Sequence, residues 1–251
     1  MSDVKVAFGI DIGGSGVKGA LVNLETGEYV GESAYRPTPQ PATPQAVAQA
    51  CKELLEELEI SAEVPVGITF PGPVIHNVIP FIANLDQSWA GQNVSDLMEQ
   101  TLGRPITAVN DADAAGLAEA VYGAAKGVPG AVIVTTLGTG VGSAFILDGK
   151  LWPNAELGHL ELDGFDAETQ VSAGQKTKHG WTYEEWIPRL QRYYSHVEML
   201  FSPDVFIVGG GVSENHHLFL PHLKLRAPIY PAALRNTAGI VGAALFASQH
   251  V

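Results

Sequence analysis

The amino-acid sequence predicts an α/β protein of two related lobes, on three observations. Two glycine-rich turns of one design occur, D-I-G-G-S-G-V-K-G-A-L at 11–21 and T-L-G-T-G-V-G-S-A-F at 136–145, each set between apolar runs that read as strands. The first half of the chain runs strand, strand, strand, helix, strand, helix, strand, helix, and the second half opens with the same strand-turn-strand unit. The length, 251 residues, is enough for two cores. The pattern places a smaller N-terminal lobe at 1–110 and a larger one at 111–236, with an apolar helix at about 237–251 packing back on the first.

Each element has a local signal. Strands at about 4–10, 17–24 and 28–35 lead into a Pro-rich connector at 36–44, where Thr43-Pro44 supplies a helix N-cap and a first-turn proline. Over 44–60, Val47, Cys51, Leu54, Leu55 and Leu58 recur at helical spacing. A strand at 64–70 ends in Pro71-Gly72-Pro73, a helix falls near 94–102, and a short strand at 106–109 meets a helix that starts at Asp111. In the second half the expected strands are 131–137, 141–147 and 158–162. A long helix at 182–200, a strand at 205–208, a glycine turn with a further helix and a last apolar helix at 237–248 complete the chain.

The paired turns point to phosphate chemistry. Glycine lacks a Cβ, so the backbone can turn at positive φ and bring its N–H groups against phosphate oxygens, and Ser15 and Thr139 add hydroxyl donors. The bland alternative is an ordinary hairpin turn, and a matched pair with Asp11 leading the first weighs against it. Gly14, Gly16 and Gly19 also satisfy G-x-G-x-x-G, but that fingerprint needs a helix at its end and an acid about twenty residues on. Residues 20–24 read as strand, and Pro39 stands where the acid should be. A nicotinamide site is therefore set aside, and no P-loop pattern occurs.

Composition excludes several classes. With 46% hydrophobic and 16% charged residues the chain is globular rather than disordered. The single cysteine, Cys51, cannot form an intramolecular disulfide or a thiolate cluster, which suits a reducing cytoplasm. Met1-Ser2-Asp3 leads directly to a strand, and no run of eighteen apolar residues occurs, so neither an export signal nor a membrane partner is expected. A net charge of −13 disfavours nucleic acid. A small polyanion is not excluded, since a local patch can oppose the global field, and Lys126, Lys150, Lys176, Lys178, Arg189 and Arg192 are its scattered candidates.

D-I-G-G-S-G at 11–16, N-D-A-D-A-A at 110–115, L-G-T-G-V-G at 137–142, E-L-G-H at 156–159 and I-V-G-G-G-V-S-E-N at 207–215, in this order, resemble the signature of sugar kinases of the ROK family. G-S-G-V-K-G at 14–19, E-L-G-H-L-E-L-D-G at 156–164 and R-N-T-A-G-I-V-G-A-A-L at 235–245 are similar to the polyphosphate-using branch, the polyphosphate glucokinases and polyphosphate/ATP glucomannokinases. The resemblance implies a two-lobed actin-like, ribonuclease-H-like fold with an active-site cleft between the lobes. It also implies phosphorylation of the 6-hydroxyl of glucose, with mannose as a further acceptor, from inorganic polyphosphate or ATP. Pocket residues this similar do not rank epimeric hexoses or donors, so an ATP-only gluco-, manno- or fructokinase stays open. A sugar-responsive regulator would need a DNA-binding segment ahead of the first strand, and an actin-like scaffold would not need the sugar-site residues.

By the same resemblance Asp111 is the general base, although an aspartate at a strand-to-helix junction, like Asp113 two residues on, can equally be a helix N-cap. Asn110, Glu156 and His159 match sugar-binding positions, with Gly72 in the loop after the fourth strand, and Asn84 and Glu168 as weaker candidates. Gly13, Gly14, Ser15, Gly16 and Lys18, then Gly138, Thr139 and Gly140, match the phosphate turns, and Gly209, Gly210 and Gly211 match the adenosine-side loop. Asp11 is the expected carboxylate near a magnesium ion, reached through water. Most ROK proteins carry a cysteine-rich zinc motif after the G-H pair. This chain has Leu160-Glu161-Leu162-Asp163-Gly164 there, so no zinc is expected, and His216 and His217 read as surface residues. A homodimer is expected from the resemblance.

Overall fold

The computed structural model of the chain describes residues 5–82 and 84–250, which divide into two compact units. The first comprises Met1–Ala118 with Thr237–Val251, and the second Glu119–Asn236. The division falls inside a helix, eight residues beyond the expected 110/111 boundary: Ala114 of that helix packs at Gly242 within the first unit, and its Ala120 joins a core of the second.

In the first unit β1 (Val6–Ile12), β2 (Gly16–Asn23) and β3 (Tyr29–Pro37) form an antiparallel meander. The first strand was expected from residue 4, and Val4 lies outside the described residues. Helix α1 (Pro44–Glu57) follows its Thr43 cap, whose hydroxyl accepts the Ala46 N–H; of the expected stripe Val47, Cys51, Leu54 and Leu55 are buried, and Leu58 is the C-cap, partly buried. Strand β4 (Val66–Phe70), helix α2 (Val94–Leu102), strand β5 (Thr107–Asn110) and helix α3 (Asp111–Val121) complete the run. The sheet order is β3-β2-β1-β4-β5, with β1, β4 and β5 parallel.

Alternation along β1 sorts the two faces of this sheet. Phe8, Ile10 and Ile12 join the core under α1 and α2 with Ile68, Phe70 and Trp89. Gly9 and Gly67 point to the opposite face, where helix α7 (Ala238–Ser248) lies so close that a Cβ on either glycine would stand 1.9 Å from the carbonyl oxygen of Ile240 or Ala243. Helix α7 is apolar on all sides, as a helix buried all round must be.

The second unit repeats the plan. Strands β6 (Ala131–Leu137), β7 (Val141–Leu147) and β8 (Lys150–Trp152) form a meander, and β11 (Val205–Gly209) and β12 (Ile229–Pro231) add in parallel, giving the order β12-β11-β6-β7-β8. Read from the meander, both sheets have one connectivity. Between β8 and β11 lie the small hairpin β9 (Glu161–Leu162) and β10 (Phe165–Asp166), then α4 (Glu168–Val171), α5 (Ala173–His179) and α6 (Tyr183–Phe201). The strand expected at 158–162 is a 3-10 turn at Leu157–His159, with Gly158 packed on the Val141 carbonyl, followed by a two-residue strand. The helix expected after the glycine turn at 209–211 is 3-10, over Gly211–Leu218. Helix α6 starts in a reciprocal capping box between Thr182 and Glu185, and its Trp186, Leu190, Tyr193, Tyr194 and Val197 are buried against one face of the sheet. No helix among the described residues is long and apolar enough to cross a membrane.

Candidate active site

In the first unit the predicted residues collect at the carboxyl ends of the parallel strands, where open α/β sheets bind ligands. Asp11, Thr69 and Val109 form one row across β1, β4 and β5, and Phe70 and Asn110 are partners at the next position. The Thr69 hydroxyl donates to Asp11 Oδ1 at 2.8 Å and accepts the Ile12 N–H, so the carboxylate is fixed beside the first turn. Asp11 also sits at the start of α7, where a Cβ on Gly239 would meet its Oδ1 at 2.9 Å. Lys18 lies directly across the hairpin from Asp11 and is exposed.

The cap at the β5 to α3 junction differs from both sequence alternatives. Asn110, 6% exposed, accepts the Asp113 N–H on its Oδ1 at 2.9 Å and is the capping residue. Asp111 is the first helical residue; its Oδ1 accepts the Ala112 N–H at 2.8 Å, and the side chain is half-buried. Asp113 is buried within the first turn.

None of Gly13, Gly14, Gly16, Gly138 or Gly140 adopts a positive φ; Gly14, Gly16 and Gly140 act instead through close approach. In the first turn Gly13 N–H donates to Gly16 O, and Thr38 and Tyr35 donate to the carbonyls of Gly13 and Ser15. A Cβ on Gly16 would strike the Tyr35 ring, and one on Gly14 would press on the carbonyl of Asn84 at 3.2 Å, so Asn84 borders this turn. Gly72 packs on the carbonyl of Phe81 in the loop after β4.

In the second unit Gly138 N–H donates to Gly140 O, closing a turn one residue shorter than the first. Glu168 comes up against this turn: its Oε2 accepts the Val141 N–H at 3.0 Å, and a Cβ on Gly140 would stand 2.4 Å from that oxygen. The 3-10 turn at Leu157–His159 is held to β7 by Leu157 N–H donating to Ser143 Oγ at 2.8 Å. Glu156, His159 and Glu168 thus gather at one end of β7, close enough to perturb one another electrostatically. Gly210, at φ +82°, also reaches this end, packing on the backbone of Leu137. Thr139 and Gly211 are exposed, and His216 and His217 lie in the 3-10 segment, half-buried and exposed.

Asp166 is a member of this group that the sequence reading missed. Its Oδ2 lies 2.8 Å from His159 Nδ1 and its Oδ1 accepts the Glu168 N–H, so one carboxylate orients both residues. The hydrogen bond to Asp166 pushes the His159 pKa up against the opposing effect of burial, with the charges of Asp166, Glu168 and Glu156 adding to the rise. Burial raises the Glu156 pKa; His159 partly offsets this and Glu168 reinforces it. The segment that holds cysteines in most ROK sequences is here the β9–β10 hairpin, turned by Asp163 and Gly164 at φ +56° and +83° and tied to α6 by a bidentate Asp163–Arg192 pair.

Two sheets of one connectivity, each with a glycine turn between its first two strands and polar groups at one end, define the two-lobed actin-like, ribonuclease-H-like class of sugar kinases. The chain belongs to the ROK family, whose sequence profile matches residues 7–182. It is 48% identical to polyphosphate glucokinase of Mycobacterium tuberculosis over 239 residues, 95% of this chain and 89% of the relative. It superposes on inorganic polyphosphate/ATP-glucomannokinase from Arthrobacter sp. strain KM with a TM-score of 0.94 at 55% identity, covering 98% and 99% of the two chains. A ROK family glucokinase from Streptomyces griseus, solved with glucose and AMPPNP, matches with a TM-score of 0.82 at 26% identity, covering 97% and 99%.

Proposed function

We propose that this protein transfers a phosphoryl group from inorganic polyphosphate, with ATP as a second donor, to the 6-hydroxyl of glucose, and to mannose as a second acceptor. The observation that carries the mechanism is the division of labour at the β5 to α3 junction. Asn110 caps the helix through the Asp113 N–H, and Asp111 stands beside it as the first helical residue, one carboxylate oxygen on the Ala112 N–H.

Asp111 acts as the general base. It takes the 6-hydroxyl proton as the sugar oxygen bonds to phosphorus, and the bridging P–O bond breaks with its electron pair leaving on the shortened polyphosphate or on ADP. Asn110 spends its Oδ1 on the cap and keeps its amide NH₂ to donate to the sugar. Glu156, His159 and Glu168 complete the acceptors and donors for the sugar hydroxyls, with Gly72 and Asn84 bordering the acceptor. Gly13, Gly14, Ser15, Gly16 and Lys18, with Gly138, Thr139 and Gly140, serve the donor phosphates, and Gly209, Gly210 and Gly211 serve the nucleotide.

A magnesium ion, when bound, supplies neutralisation of the donor's charge. Magnesium is usually held by one or two carboxylates together with substrate phosphates, and Asp11, fixed by Thr69 beside the first turn, fits that donor set through water. We place the enzyme in the cytoplasm as a homodimer; gel filtration at the monomer size removes the dimer.

The test is glucose 6-phosphate formation from glucose and magnesium with polyphosphate and ATP as parallel donors. Turnover with both is expected. Turnover with ATP alone removes the polyphosphate reading, and turnover with neither removes the kinase reading.

A further inference from the structure

We propose that helix α5 and the first turns of α6 form a basic track that seats the distal phosphates of a long polyphosphate chain; this rests on the polyphosphate reading above. The molecule is strongly acidic, and several of its cations are already engaged. Arg36 pairs with Glu53 and Glu57, Lys52 with Glu56 and Arg192 with Asp163, while Arg104 and Arg226 donate to backbone carbonyls. Lys176, Lys178 and Arg189 have no carboxylate within ion-pair distance among the described residues.

Two of these cations are held by aromatic rings instead. Lys176 Nζ lies 4.3 Å over the Tyr183 ring, and the Arg189 guanidinium lies 3.9 Å over Trp181, on which His179 also stacks at 4.8 Å. Arg189 Nη1 donates to the neutral amide of Gln170 at 2.6 Å. A carboxylate partner cancels a cation's charge, whereas a ring or an amide fixes its position and leaves the charge to act on a ligand. Glu185, one turn before Arg189, caps α6 at Thr182 and feels the Arg189 charge without pairing with it, and Asp163 holds Arg192.

The position of the surface gives it a ligand. Helix α5 is pinned to the second glycine turn, since Gly174 N–H donates to Gly138 O at 2.9 Å and a Cβ on Gly174 would stand 2.6 Å from the carbonyl of Thr139. Lys176 follows two residues after that contact, and α5 extends for about 10 Å. A donor whose terminal phosphate lies at the turn can continue along this helix only if it is a long polyanion. The three phosphates of ATP are too few to need it.

The experiment compares the wild type, the double variant Lys176→Gln/Arg189→Gln and a control, Lys126→Gln/Lys150→Gln, whose cations lie in other segments. Calorimetric binding of long-chain polyphosphate and tripolyphosphate is measured, with kcat and KM for long-chain polyphosphate and ATP. The wild type is expected to bind the long chain more tightly than tripolyphosphate. The double variant should lose that preference and show a roughly tenfold higher KM for the long chain, with ATP kinetics within about twofold of wild type. Equal wild-type affinity for the two polyanions, an unchanged double variant, an equal effect in the control, or equal impairment with ATP each overturns the track. Polyphosphate turnover that the double variant leaves intact removes the track alone, whereas a wild type active with ATP and inert with polyphosphate removes the donor reading with it.

Discussion

Asn110 and Asp111 are neighbours whose side chains do different work, and the difference is measurable. Asp111→Asn should fold and bind glucose but lose at least about a hundredfold in turnover, because the proton acceptor is gone; near-normal turnover ends the assignment. Asp166 makes a second residue-scale prediction. His159 has a raised pKa, so its interaction with Asp166 is fully present below the unfolded histidine value of about 6.5 and is lost as pH rises through the raised value. Asp166→Asn should move the His159 titration, followed by NMR, to lower pH, and an unmoved titration would mean the contact is not formed in solution. The motifs around Asp111, Glu156 and His159 were legible because they are contiguous and ordered. Asp166 was not, since its contact with His159 comes from a hairpin of two-residue strands that carries no periodicity. The cap was ambiguous in sequence because Asn110, Asp111 and Asp113 are all good capping types, and only the backbone decides among them.

At the scale of elements, long periodic segments were readable and short ones were not. Helices α1, α2 and α6, the first meander and the β6–β7 pair have strong caps or sustained apolar patterns. Strands β8, β10 and β12 and helices α4 and α5 went unforeseen, and β9 is all that forms of the strand expected at 158–162, since runs of two to seven residues show too little repetition to be told from loop. The two turns were found for a reason the structure replaces: their glycines admit the Tyr35 ring and the Glu168 carboxylate. Of the glycines expected in the site, the one that does need its backbone freedom is Gly210, at φ +82° and ψ 165°, where a Cβ would stand 2.4 Å from the carbonyl of Leu137. Gly210→Ala should cost more than about 2 kcal/mol, read as a lower denaturant midpoint at unchanged slope. The β9–β10 hairpin closes with backbone turn residues and the Asp163–Arg192 pair, so purified protein should carry substoichiometric zinc; one zinc per chain by metal analysis would contradict this.

At the scale of the molecule, the duplicated connectivity was visible in the paired turns, but the place where the chain passes from one unit to the other was not. The crossing at Ala118/Glu119 lies inside α3, where no composition shift marks it. Glu119 begins the second unit, is 1% exposed, and accepts the N–H groups of Ala124, Ala233 and Leu234. It therefore binds the start of that unit to the segment just before the chain returns at Thr237. Glu119→Ala would leave three backbone donors without this acceptor and should cost at least about 3 kcal/mol, whereas Glu119→Gln should cost less because one acceptor oxygen remains. Equal stability of the two variants in denaturant titration would show that the clamp does not depend on the carboxylate.

Helix α7 covers β1 and β4 at glycine contact distance, yet it follows the whole second unit in sequence. A chain emerging from the ribosome therefore presents the sheet of residues 6–110 long before the helix that covers it exists. The continuous segment 119–236 contains every strand of its own sheet and can close first. The sheet with Asp11 and Asp111 at its strand ends thus stays open on one face until the last residues of α7 have been made.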